Sequence, residues 1–152
     1  MCAIVDAHIV KGLLKKESTP GEFFWKQVES RKITIVVGGY KLKDEYEKAS
    51  CSQWLAEAIR AGLVRSEEDQ IVENLAERLA SDGRITSDDH HIIALAQISG
   101  ARLLYSYDKK LHTDFKSKSL IDRPRGKIYA TGHEEALRDK HRRLLRQTLC
   151  KG

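Results

Sequence analysis

The sequence predicts an α/β fold: a single three-layer α/β/α domain with helices on both faces of a mostly parallel sheet of four to five strands. Three observations predict it. Short apolar runs at residues 3–5, 33–37, 102–107 and 127–130 have the length of buried strands, and 33–37 is β-branched throughout. Helical patterns alternate with these runs, as parallel crossovers require. With 152 residues, 41% of them hydrophobic, and two isolated prolines, the chain suits one core over residues 1–152 with no long linker or solenoid repeat.

The elements follow in order. Ala3-Ile4-Val5 forms a first strand that ends in Asp6, and residues 8–16 read as a short helix. Thr19-Pro20-Gly21-Glu22 joins a capping box to an early proline, predicting a helix over 23–31. Residues 33–37 are the second strand, broken by Gly38-Gly39. The pattern over 42–61 is helical, and Ser66-Glu67-Glu68-Asp69 opens another helix that Asp82-Gly83 ends. Thr86 or Ser87 caps a long helix through Ser99, closed by Gly100 ahead of the strand at 102–107. A brief helical turn, a loop around Pro124 and a strand at 127–130 lead to a basic C-terminal helix at about 132–150, opened by Thr131-Gly132-His133-Glu134.

The net charge of +5 is unevenly placed. Basic residues outnumber acidic ones eight to four over 1–43, five to two over 91–121 and nine to four over 122–152, while acids lead twelve to five over 44–90. Basic flanks around an acidic middle suit a polyanion approaching a site that captures a cation. Cys2, Cys51 and Cys150 are odd in number and far apart, with no CxxC pair, which fits a reducing cytoplasm. Residues 1–10 are apolar but interrupted by Asp6, so they read as a core strand rather than a signal peptide or membrane span.

In open parallel sheets ligands bind at the C-terminal strand ends, where strand order reverses. Asp6 and Asp108 both follow an apolar strand. With Leu42, Tyr46 and Ala49 as the inward stripe of their helix, Glu45 lies beside it while Asp44 and Glu47 fall on the far side. Asp89 leads the stripe Ile92, Ile93 and Ala96, with Asp88 the alternative turned about 100° away. Asp114 is an outer candidate that reads more readily as a surface acid. Four converging carboxylates would raise one another's pKa, and one or two hard divalent ions, Mg²⁺ or Mn²⁺, would relieve that repulsion. Such ions support phosphodiester hydrolysis without another catalytic group.

Four segments in order, Ala3-Ile4-Val5-Asp6, Leu42-Lys43-Asp44-Glu45-Tyr46, Asp89-His90-His91-Ile92-Ile93-Ala94-Leu95-Ala96 and Leu103-Leu104-Tyr105-Ser106-Tyr107-Asp108, resemble the PIN-domain nucleases. The resemblance runs from residue 3 to about 111, and its most specific part is the D-x-x-I-x-A-x-A helix followed by a strand ending in S/T-x-D. It implies a PIN-like fold, endonucleolytic cleavage of single-stranded RNA, and metal binding by Asp6, Glu45, Asp89 and Asp108. It also implies, as in many members of that family, a toxin held by a small antitoxin protein. Two positions depart from the family pattern. His8 stands where Asn is often found and would either bond a phosphate or pack at the helix start, and Ser106 replaces Thr while keeping a hydroxyl able to orient a carboxylate or a metal-bound water.

Other features have plainer readings. His90 and His91 point about 100° apart on a helix and are assigned to surface or packing roles. Arg142, Arg143 and Arg146 lie opposite the apolar face of the last helix, where they would either steer an RNA backbone or simply be solvated. Phe23-Phe24-Trp25 cannot all face the core stripe; core packing is the default reading for the set, and a member left exposed would suit a homodimer or partner interface. Two rival functions are a catalytically inactive nucleic-acid or protein-binding module and a phosphotransfer enzyme. Intact acids at four positions argue against the first, and His8, where a phosphatase would have a second Asp, argues against the second.

Overall fold

The computed structural model describes residues 1–15, 17–130, 132, 135–147 and 149–150. Five strands, β1 (Cys2–Val5), β2 (Thr34–Val37), β3 (Val64–Ser66), β4 (Leu103–Tyr105) and β5 (Lys127–Ile128), form one sheet in the order β3-β2-β1-β4-β5. Every pairing is parallel. The helices are α1 (Ala7–Leu14), α2 (Thr19–Glu29), α3 (Tyr40–Lys48), α4 (Ser52–Arg60), α5 (Asp69–Asp82), α6 (His90–Ser99), α7 (Lys109–Phe115) and α8 (Asp139–Arg146). This is the three-layer α/β/α architecture expected. None of these helices is long and apolar enough to cross a membrane.

The central strands are buried because both of their faces are covered: Ala3, Ile4 and Val5 of β1 and Ile35, Val36 and Val37 of β2 have no exposed surface. Chain order runs outward from β1 through β2 to β3, then returns to place β4 on the other side of β1. Strand order therefore reverses between β1 and β4. In their register Val5 lies opposite Tyr105, so Asp6 and Ser106 emerge side by side at the strand ends. Under this edge Phe24, Tyr105 and Tyr129 pack ring to ring with centroids 4.9 to 5.2 Å apart. Tyr129 donates its hydroxyl to the Pro20 carbonyl at 2.7 Å, which ties α2 to the strand side of the core.

Several expected boundaries move. The helix over 42–61 is two helices, because Ser50 takes a positive φ of 62° and Cys51 begins the next one. The strand β3 was not expected at all; it is three residues long and held by pairing with β2. Ser18 rather than Thr19 caps α2, accepting from the Gly21 N–H at 3.1 Å. The C-terminal helix expected at about 132–150 is confined to Asp139–Arg146, and residues Thr131, His133 and Glu134 of its expected cap lie outside the described residues. Cys2 and Cys150, far apart in sequence, form a disulfide across 148 positions, which removes the cysteine argument for a reducing compartment. Cys51 is free and buried.

Candidate metal centre

Asp6 is placed by strand pairing. Its N–H donates to the Tyr105 carbonyl at 3.0 Å, and its carboxylate accepts from the Ser106 hydroxyl at 2.9 Å and from His8 Nδ1 at 3.1 Å. Burial disfavours the charge on Asp6, but the bond and charge of His8 and the bond from Ser106 outweigh it, holding the carboxyl below its usual value. The same bond to Asp6 raises the pKa of His8. Ser106 itself is fully buried, and its Oγ also accepts from the Asp108 N–H at 3.2 Å. One serine hydroxyl thus touches the carboxylate of Asp6 and the backbone N–H of Asp108, the residues that follow adjacent strands.

Asp108 is the N-cap of α7, its Oδ1 accepting from the Lys110 and Leu111 N–H groups at 2.9 and 3.2 Å. The cap fixes the exposed carboxylate and leaves Oδ2 outside that pair of bonds.

Glu45 comes from α3, which begins at Gly39. That glycine has φ 89°, and a Cβ there would meet Val72 at 2.9 Å, so glycine is required for the turn off β2. The Gly39 N–H donates to Asp69, which also pairs with Lys43 at 2.7 Å. One turn further on, buried Tyr46 donates its hydroxyl to the Val5 carbonyl at 2.6 Å, and burial keeps that hydroxyl protonated by pushing its pKa upward. These bonds lock α3 against the end of β1 with Glu45 facing α6.

On α6, Asp89 is the N-cap residue rather than a first-turn residue, and its side chain makes no capping bond. Its pKa is raised, first by burial and then by the charges of Asp108, Asp6 and Glu45, against a lowering by His91. The other three expected acids therefore all act electrostatically on this one carboxyl. They are not equally close: Glu45, Asp89 and His91 offer ligand atoms within 4.8 Å of one another, whereas Asp6 and Asp108 form the Ser106-linked pair beside them.

His91, expected in a surface or packing role, is packed in the interior and also faces an acid of the cluster. It is 3% exposed and its Nε2 lies 2.8 Å from Glu45 Oε1. Because a carboxylate only accepts, Nε2 carries the proton in this bond. Its Nδ1 is buried without a hydrogen-bond partner among the described residues. Adjacent His90 is half-buried and is not part of that group. The sequence held a signal for His91: the run Ile92-Ile93-Ala94-Leu95-Ala96 is apolar all round, so a histidine directly before it is drawn into the buried layer.

Asp88 is exposed and outside the cluster, its backbone carbonyl accepting from Lys41 Nζ at 3.0 Å. Asp114 is not the surface acid its sequence position suggested. It is 2% exposed, and its two oxygens accept from the Thr86 N–H, the Thr86 hydroxyl and the Ser87 N–H, each at 2.9 Å. Burial opposes its charge, yet these bonds hold its carboxyl below the usual value. It latches the loop that delivers Asp89. Thr86 and Ser87, expected to cap α6, are engaged by this latch instead.

Arg142, Arg143 and Arg146 are exposed on α8, with Arg142 stacked over the Phe23 ring at 5.2 Å. Phe24 is in the core, Trp25 packs on Trp54 at 5.7 Å, and Phe23 is the ring left beside Arg142. No family model matches the chain, and neither a curated protein nor a solved structure matches it.

Proposed function

We propose that the chain is a Mg²⁺- or Mn²⁺-dependent endoribonuclease of the PIN type that cleaves single-stranded RNA. The observation that supports this reading is the grouping of Glu45 and Asp89 with His91 within 4.8 Å, together with Asp6 and Asp108 at the ends of the adjacent strands where strand order reverses. Such a cluster is electrostatically unfavourable alone and matches the donor chemistry of a hard divalent ion.

A bound ion supplies charge stabilisation at the phosphoryl oxygens and acidifies water for attack. The protein's part is to hold its carboxylates ready. Ser106 aligns Asp6 with Asp108, His91 fixes Glu45, and Asp114 fixes the loop before Asp89. His8, on the exposed side of Asp6, bears positive charge when protonated and lies where a scissile phosphate would approach. The basic flanks, including Arg142, Arg143 and Arg146, supply long-range attraction for the strand. A small antitoxin protein is the partner this reading suggests.

The test is cleavage of end-labelled single-stranded RNA with Mg²⁺, Mn²⁺ or chelator, comparing wild type with Asp6→Asn and Asp108→Asn. Metal-dependent internal cleavage lost in both variants is the expected result. Absence of cleavage across varied RNAs, together with no Mn²⁺ binding by calorimetry, would replace the enzyme with a binding module of the same fold.

A further inference from the structure

Glu45, Asp89 and His91 are the members of the cluster with the fewest other ties. Asp6 already accepts from Ser106 and His8, and one oxygen of Asp108 caps α7. The Asp89 side chain makes no capping bond, and Glu45 is met by His91 Nε2 at 2.8 Å. The ligand atoms of these three residues lie within 4.8 Å of one another, so one of the three groups gathered where an ion would sit is a histidine.

The surroundings of that ring are not those of a histidine that serves packing alone. Ile92, Ile93, Ala94, Leu95 and Ala96 after it are apolar and buried, and an apolar side chain would fill the same layer without bringing a polar group into it. Only one ring nitrogen is satisfied, and by a carboxylate. Nδ1 is buried with no hydrogen-bond partner among the described residues. The proton therefore rests on Nε2 because Glu45 accepts it there, and no bond at Nδ1 fixes the tautomer. When a cation shares the charge of Glu45, that hold weakens. Moving the proton to Nδ1 keeps the ring neutral, breaks no bond at Nδ1, and frees the Nε2 lone pair among the ligand atoms of Glu45 and Asp89.

A nitrogen donor changes which ion the residues suit. Mg²⁺ prefers oxygen ligands and gives up its waters reluctantly, whereas imidazole is a ligand for first-row transition ions, and Mn²⁺ is the member of that series that carboxylates also suit. We propose that His91 is a direct ligand in this centre, beside Glu45 and Asp89, and that the site thereby selects a transition ion such as Mn²⁺ over Mg²⁺. The inference rests on the reading of the cluster as a metal centre and not on the cleavage of RNA.

The test uses the full chain without RNA. Pulsed electron paramagnetic resonance of bound Mn²⁺ should show coupling to a directly bound nitrogen, kept in His8→Ala and lost in His91→Gln. By calorimetry Mn²⁺ should bind wild type roughly tenfold or more tighter than Mg²⁺. His91→Gln retains an N–H donor for Glu45 but no ring nitrogen, so Mn²⁺ affinity should fall about tenfold while Mg²⁺ affinity changes by less than about threefold. Equal losses for the two ions would make His91 a positioning residue for Glu45 and overturn the ligand. Absence of nitrogen coupling in wild type, or coupling lost in His8→Ala and kept in His91→Gln, would overturn it even if metal-dependent cleavage were found. Failure of wild type to bind either ion would overturn it together with the metal centre. Nitrogen coupling that depends on His91 would support it even if no RNA were cut.

Discussion

Replacing Asp114 by Asn tests whether the loop before Asp89 is held by a buried carboxylate. The wild-type side chain is 2% exposed and accepts three hydrogen bonds at 2.9 Å from Thr86 and Ser87. Hydrogen bonds to a charged group contribute roughly 1.5–3 kcal/mol each, and they do not add fully when shared by one residue. Asparagine keeps one acceptor oxygen but turns an amide NH₂ toward a backbone N–H, losing at least one bond and leaving donors facing each other. The expected loss is about 2–4 kcal/mol at neutral pH, a large share of the stability of a domain this size. Urea denaturation followed by circular dichroism reads it as a lower midpoint at unchanged slope. The pH dependence supplies a second check. The folded pKa of Asp114 is depressed, so its stabilisation is fully present above the usual carboxylate value of 3.8 and is lost as pH falls through the lower folded value. Wild type and variant should therefore converge in acid. A difference below about 0.5 kcal/mol at pH 7, the range of ordinary surface substitutions, would refute the latch.

The remaining predictions concern His91 and the disulfide. His91→Leu removes the donor that fixes Glu45 and should weaken Mn²⁺ binding by calorimetry roughly 10- to 100-fold, the usual effect of losing a group that orients a ligand. His91→Gln, which retains an N–H donor, should recover part of that affinity; unchanged binding in the leucine variant would reduce His91 to packing. Cys150→Ser opens a loop of 148 positions and is expected to lower stability by about 2–5 kcal/mol, read from the thermal midpoint against oxidised wild type. Equal midpoints would mean that the bond contributes nothing to the folded chain.

What the sequence made legible, and what it hid, divides along the range of the interactions involved. The strands of the sheet centre could be read from their own residues, because burial on both faces demands runs such as Ile33 to Val37. The positions of Asp6 and Asp108 followed from strand ends in the same way, and the inward side of α3 singled out Glu45 from Asp44 and Glu47. Features fixed by distant partners were hidden. The strand β3 has one buried residue in three and exists through pairing with β2, so no alternation marks it. Thr86 and Ser87 have cap-forming chemistry, but a carboxylate 27 to 28 positions away takes their N–H groups, which moves the N-cap of α6 to Asp89. Asp114 looked like a surface acid for the complementary reason, since its partners are not on its own helix. His91 was set aside because two neighbouring histidines cannot bind one ion. That reasoning holds for the pair and fails for the single member that α6 turns toward Glu45. The acids of the candidate site were thus visible one at a time, while Ser106 was foreseen only as a hydroxyl near an acid. The arrangement that holds them, with Ser106 between Asp6 and Asp108, His91 on Glu45 and Asp114 beneath the loop to Asp89, arises only once separate elements are packed together.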